Sequence, residues 1–127
     1  MKLLLDTNRY SDLARRVPDV IATVSSAAEV FLSFVTLAEL HQGFRIGSRR
    51  KQNERDLAQF LADPSVRVIF ADIKTVDLFT DLSQQLTKQG TPIPDHDIWI
   101  AAIALQHGLT LYARDKHFDN LPQLSRI

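Results

Sequence analysis

The chain has 127 residues, 45% of them hydrophobic and 24% charged, which fits one compact domain over residues 1–127 and leaves no room for a second. Fifteen Lys and Arg balance fifteen Asp and Glu, so a polycationic nucleic-acid binder is excluded and any such contact must come from a local basic patch. With no cysteine there is no disulfide framework, zinc finger or thiol catalyst, and any metal must take oxygen or imidazole ligands.

Residues 3–5 form an apolar run stopped by Asp6-Thr7-Asn8, the pattern of a buried strand ending in a turn. Residues 9–16 and, after Pro18, residues 19–25 mix polar and apolar side chains at helical spacing, with Asp19 placed to cap the second helix. Residues 30–35 are apolar, aromatic and β-branched, which predicts a second strand. In residues 36–46, Leu37, Leu40 and Phe44 share one helical stripe, and Gly47-Ser48 separates them from a further helix over residues 49–61.

Asp63-Pro64-Ser65 is turn chemistry, residues 66–70 read as a third strand, and residues 72–89 as a long helix ended by Gly90. After Pro92 and Pro94, residues 95–106 predict a helix apolar on most sides, closed by His107-Gly108. Residues 109–113 then form a short strand that runs into Arg114-Asp115. The longest apolar run, residues 98–105, falls far short of the roughly 18 residues that cross a bilayer. No signal-peptide stretch precedes Asp6, so no membrane association and a cytoplasmic location are expected.

Strands that read as solid apolar runs and alternate with helices predict an α/β fold, a mostly parallel sheet sandwiched between helices in three α/β/α layers. In such sheets the ligand site lies beyond the carboxyl ends of the strands. Asp6, Asp72 and Asp115 stand at such ends, and Glu39 and Asp97 in the first turns of their helices. Asp outnumbers Glu twelve to three, so most carboxylates are held close to the backbone that positions them. Acids gathered without neutralising partners repel one another, and a cluster of them implies a divalent cation, Mg2+ or Mn2+, one ion or two. Paired ions of that kind serve phosphodiester hydrolysis.

Several of these residues also have structural readings. Asp6 could cap the following helix, and Thr36-Leu37-Ala38-Glu39 matches a capping box in which Glu39 reaches back to its own cap. Glu39 nonetheless projects away from the apolar stripe, with Gly43 one turn later leaving space for a ligand. Asp97 heads a column of small residues, Ala101, Ala104 and Gly108, which a cap alone does not account for. Asp72 opens an ordinary amphipathic helix with Val76 and Phe79 and reads as its cap. Arg45, Arg49, Arg50, Lys51 and Arg55 against the single Glu54 suit either RNA phosphates or a solvated face, as do Arg9, Arg15 and Arg16. Trp99 reads as packing, and His96 and His117, although they flank proposed site acids, receive no metal role.

A strand ending in Asp-x-Asn also suits haloacid-dehalogenase-like phosphatases, but Asn8 stands where their general acid must be, and an amide cannot serve. A receiver domain would need paired early acids, a central Asp and a strand-end Lys, and none is evident. The segments LLLDTN, FVTLAEL, IPDHDIWIAAIA and LTLYARDKHF, in that order, resemble the PIN domain across nearly the whole chain. The resemblance implies a metal-dependent endoribonuclease of the VapC type, the toxin of a toxin-antitoxin pair, restrained by a small antitoxin and acting on RNA as a homodimer.

By that resemblance Asp6, Glu39, Asp97 and Asp115 are the catalytic, metal-holding acids, Asp115 directly or through water, while Thr7 and Asn8 support the first acid by hydrogen bonds. The metal would lower the pKa of a bound water, whose attack leaves 5′-phosphate and 3′-hydroxyl ends. Ala113 departs from the family's usual Thr or Ser two residues before the last acid. That departure keeps open a second reading, a PIN-fold binding or assembly module without catalysis.

Overall fold

Strands and helices alternate throughout the computed structural model, which describes residues 1–127. The order is β1 (Lys2–Leu5), α1 (Thr7–Ala14), α2 (Pro18–Ser26), β2 (Glu29–Ser33), α3 (Phe34–Ile46), α4 (Arg50–Leu61), β3 (Val66–Ile69), α5 (Ile73–Gln89), α6 (Asp95–His107) and β4 (Thr110–Tyr112), followed by a 3-10 helix over Lys116–Asn120. The four strands form one sheet in the order β3-β2-β1-β4, and every pairing is parallel. In register, Leu5 of β1 lies between Leu32 of β2 and Tyr112 of β4. The carboxyl ends of all three strands therefore fall along one edge.

The pleat of β1 divides the interior. Leu4 points into a cluster with Leu82 and Leu86 of α5, Ile98 to Ala104 of α6, Leu111 and Phe118. Leu3 and Leu5 point the other way, to Tyr10, Val20, Leu40 and Leu57, one from each of α1 to α4. Helices on both faces explain why the central strands carry no polar alternation. They give the expected three-layer arrangement. Trp99 stacks on Phe79, with ring centroids 4.2 Å apart, and meets Phe34 edge-on, so it packs as expected.

α1 begins at Thr7 rather than at residue 9, and Val17 rather than Asp19 caps α2, because Pro18 is already helical and Asp19 lies in the first turn. A third boundary also departs from expectation. β2 stops at Ser33 and α3 begins at Phe34, so Phe34 and Val35 are helical although both are good strand formers. The cause is local: the buried Ser33 hydroxyl accepts the Thr36 amide at 3.1 Å and starts the helix two residues early.

Gly90 and Gly108 stop α5 and α6 in the left-handed region, at φ +72° and +63°. A Cβ at Gly108 would meet nothing, so Gly108→Ala tests backbone strain alone and is expected to cost about 1 kcal/mol in urea denaturation. Gly43, inside α3 and equally open, should respond oppositely, gaining about 0.5–1 kcal/mol as alanine. Equal responses at the two positions would contradict the assignment.

Candidate active site

Asp6 leaves the end of β1 with its amide bonded to the Tyr112 carbonyl at 3.0 Å, which ties it to the end of β4. It occupies the cap position of α1, yet its side chain makes no capping hydrogen bond, so the capping reading does not describe it. The residue is only 6% exposed. Burial raises its carboxyl from 3.8 to about 6; the Thr7 amide opposes that rise, and Asp97, Glu39 and Asp115 add to it. Of the four acids named from the sequence, Asp97 and Asp115, with His117, offer ligand atoms within 4.8 Å of one another, whereas Asp6 and Glu39 add their charge nearby without joining that group.

Each of the other three acids is set by a separate element. Because Ser33 caps α3, Glu39 is not the reciprocal member of a capping box; its Oε1 instead accepts the Thr7 hydroxyl at 2.6 Å. Thr7 therefore reaches the first acid through its amide and the second through its hydroxyl. Asn8 is exposed and makes no side-chain hydrogen bond. Asp97 lies in the first turn of α6, 4% exposed, on a helix whose Ala101 and Ala104 are fully packed. Pro94 occupies the cap position, and the two acids after it, Asp95 and Asp97, lie where the helix dipole favours negative charge.

Asp115 caps the 3-10 helix by accepting the His117 amide at 2.9 Å. That bond supplies the support which a hydroxyl at position 113 would otherwise give, while Ala113 is buried in the core. Arg126 adds a brace by donating to the Ala113 and Asp115 carbonyls.

The acids meet histidines and no permanent cation. His117 Nδ1 stands 2.8 Å from Asp97 Oδ2 and 3.1 Å from Asp115 Oδ1, and His96 Nε2 stands 3.4 Å from Asp97 Oδ1 and 4.0 Å from Glu39 Oε2. The hydrogen bond to Asp97 raises the His117 pKa, and the charges of Asp115 and Asp97 add to the rise. No lysine or arginine forms an ion pair with Asp6, Glu39, Asp97 or Asp115.

Elsewhere the chain does neutralise buried acid. Asp12 is held by Arg9 at 3.4 Å and by Arg114 at 3.1 Å, with the Arg9 guanidinium lying 4.3 Å over the Tyr112 ring. Asp72 is occupied as the cap of α5, bonded to Thr75 and, at 2.8 Å, to Gln106. Clustered carboxylate oxygens left without a cation are the donor set of a hard divalent ion, so the residues present fit Mg2+ or Mn2+.

Arg45 at the end of α3 and Arg49, Arg50, Lys51 and Arg55 around the start of α4 are all exposed. The last four, with Ser48 and Gln52, line a shallow hollow of about 490 Å³. Arg50 is partly engaged by Glu54 at 2.7 Å. Sequence reasoning gives no role at the acids to His117 or His96, and none to the Arg9-Asp12-Arg114 group. Proximity in sequence is the available signal for the histidines, which lie one residue before Asp97 and two after Asp115.

An acid whose folded pKa exceeds its unfolded value makes the native state bind more protons, so stability falls as pH rises between the two values. For Asp6 the window is pH 4 to 6 and the expected loss about 3 kcal/mol, measured by urea denaturation in excess chelator. Asp6→Asn should flatten that slope and make the metal-free protein more stable at pH 7. A wild-type stability that climbs across the window and is unaffected by the substitution would remove Asp6 from the crowded cluster.

The PIN domain family profile matches residues 3–124. The plasmid stability protein StbB of Pseudomonas syringae pv. tomato is 32% identical, covering 89% of this chain and 87% of its own length. The VapC ribonuclease Y4jK of Sinorhizobium fredii is 33% identical, covering 89% and 86%. Among solved structures, VapBC2 from Rickettsia felis, bound to a DNA fragment from its promoter, superposes with a TM-score of 0.89 at 25% identity over 100% of this chain and 98% of that one. With the match spanning all four strands and all four acids, this chain belongs to the PIN domain family.

Proposed function

We propose that this chain, acting as one domain over residues 1–127, is a divalent-cation-dependent endoribonuclease. In this reading it is the toxin of a VapBC-type pair, held in check by a small antitoxin. Supporting this reading, Asp97 and Asp115, with His117, offer ligand atoms within 4.8 Å of one another beside the parallel strand ends, Asp6 and Glu39 add charge nearby, and no lysine or arginine pairs with any of the four acids. Similarity to a VapC ribonuclease and to a VapBC assembly supports the substrate class and the partner.

The four acids would hold Mg2+ or Mn2+, which when bound activates water and polarises the scissile phosphate. Everything else falls to the chain itself. Thr7 fixes Glu39 through its hydroxyl, and the His117 amide fixes Asp115. The packing of α6 sets the depth of Asp97, and the dry surroundings of Asp6 strengthen each charge interaction at the site. The exposed arginines at 45, 49, 50 and 55 and Lys51 would draw RNA phosphates to the outer surface of α3 and α4.

The proposal includes a homodimer, supported by the exposed apolar Phe70, Ile73 and Val76 where β3 passes into α5. It also includes a cytoplasmic location: no helix is long and apolar enough to cross a membrane. A non-catalytic binding module is the weaker reading, because Asp115 retains a hydrogen-bonded anchor despite Ala113.

Asp97→Asn changes one charge at nearly constant volume. It is expected to cut RNA cleavage by about 100-fold or more while circular dichroism remains that of the wild type. Full cleavage by this variant, or undiminished wild-type cleavage in excess chelator, would defeat the proposal. Arg49→Ala with Arg50→Ala should weaken RNA binding and reduce the slope of log K against log salt by about 1.4, the value for two single-strand phosphates that are no longer neutralised. An unchanged slope would move the RNA path off α4 and leave the chemistry untouched.

A further inference from the structure

Among the contacts at the acidic cluster, that of His117 brings one nitrogen donor against two carboxylates at once. Its side chain is 45% exposed, so burial does not force it inward, yet Nδ1 lies within hydrogen-bond reach of oxygens on two different acids, Asp97 and Asp115. One ring proton cannot serve both equally. The other ring nitrogen, Nε2, has no protein partner, so the tautomer with its proton on Nε2 and a lone pair on Nδ1 is accessible.

The donor spacing matters. Ligands about 2.1 Å from an octahedral ion stand about 3.0 Å from their neighbours around it. His117 Nδ1 is 2.8 Å from Asp97 Oδ2 and 3.1 Å from Asp115 Oδ1, and the three donor atoms all lie within 4.8 Å of one another. The turn that fixes Asp115 also fixes His117, because the His117 amide donates to the capping Asp115 carboxylate. Asp6, buried and without a basic partner, faces the same neighbourhood, so the cluster lacks a cation independently of the histidine.

We propose that His117 Nδ1 joins Asp97 and Asp115 as a direct ligand, which makes this a mixed nitrogen and oxygen site that selects Mn2+ over Mg2+. The proposal rests on the divalent-cation reading above and narrows it to one ion. Magnesium takes hard oxygen ligands and gains little from an imidazole, whereas manganese accepts nitrogen and oxygen together. His96 stands on the opposite side of Asp97, at 3.4 Å, and on Glu39, at 4.0 Å; it belongs to the outer support of the acids.

The test uses the full chain, loaded with MnCl2 or MgCl2. Free Mn2+ measured by electron paramagnetic resonance gives the affinity, MgCl2 competition gives that for magnesium, and electron spin-echo modulation detects a coordinating 14N nucleus. Wild type should show imidazole modulation. His117→Ala should lose it, with Mn2+ affinity falling tenfold or more and Mg2+ affinity changing less than threefold, while His96→Ala retains the modulation.

Mn2+ bound to wild type without nitrogen modulation, or modulation that survives His117→Ala, would overturn the assignment while leaving the carboxylate site intact. Failure of wild type to bind either ion would bring down the cation reading itself. Circular dichroism of His117→Gln, which keeps the backbone amide and a polar side chain, separates loss of a ligand from loss of the turn.

Discussion

Four carboxylates at one corner, Asp6 and Asp97 buried and Glu39 and Asp115 about a third exposed, constrain this molecule more than any favourable contact does. Exposed ion pairs such as Lys2 with Glu29 add little, because they are weakened by solvent. The acid corner differs in sign. Its members repel, Asp6 has its pKa raised to about 6 by burial and then by the neighbouring acids, and the surrounding fold must hold them together against that repulsion. The packed sheet and α6 supply the restraint: the residues behind the acids, Leu5, Ile100, Ala101 and Tyr112, are almost wholly removed from water. The arrangement fits a protein whose binding site is electrostatically incomplete without its ion.

The same reasoning explains the distribution of the remaining charge. The chain is neutral as a whole, so every uncompensated acid in the corner has a counterpart elsewhere. Five of the fifteen positive side chains gather where α3 passes into α4: Arg45 at the end of the helix that carries Glu39, Arg49 at the cap of α4, and Arg50, Lys51 and Arg55 on α4. In the proposed reading, a polyanion is attracted by this basic surface and repelled by the acids until a divalent ion reverses their sign. Asp12 marks the contrast, since a carboxylate enclosed by Arg9 and Arg114 is already neutralised and offers nothing to a cation.

Much of this is legible in the sequence, and the misses have identifiable causes. The strands can be read because β1 is covered on both faces and shows as an unbroken apolar run, and α6 because it is apolar nearly all round. The junction at residues 33–36 reads wrongly because the β propensity of Phe34 and Val35 competes with a single serine, and a buried cap outweighs it. The capping box expected at Glu39 fails for the same reason, since it assumes a helix start three residues too late. Asp6 and Asp115 are recoverable from strand ends and Asp97 from a helix start, whereas Glu39, expected in a first turn, lies in the second turn of α3 because that helix begins at Phe34. The histidines are not, since a single imidazole leaves no periodic trace and its role depends on a distance across twenty residues of chain.

The sheet separates two cores, and the acids are divided between them. Glu39 stands on a helix seated in the cluster shared by α1 to α4, whereas Asp97 rises from the cluster beneath α5 and α6. Neither half alone assembles the corner. In the proposed reading, a chain with only one side of the sheet ordered lacks part of its acid set and cannot hold the ion. For an enzyme able to cut RNA in the cell that makes it, the architecture doubles as a safety interlock.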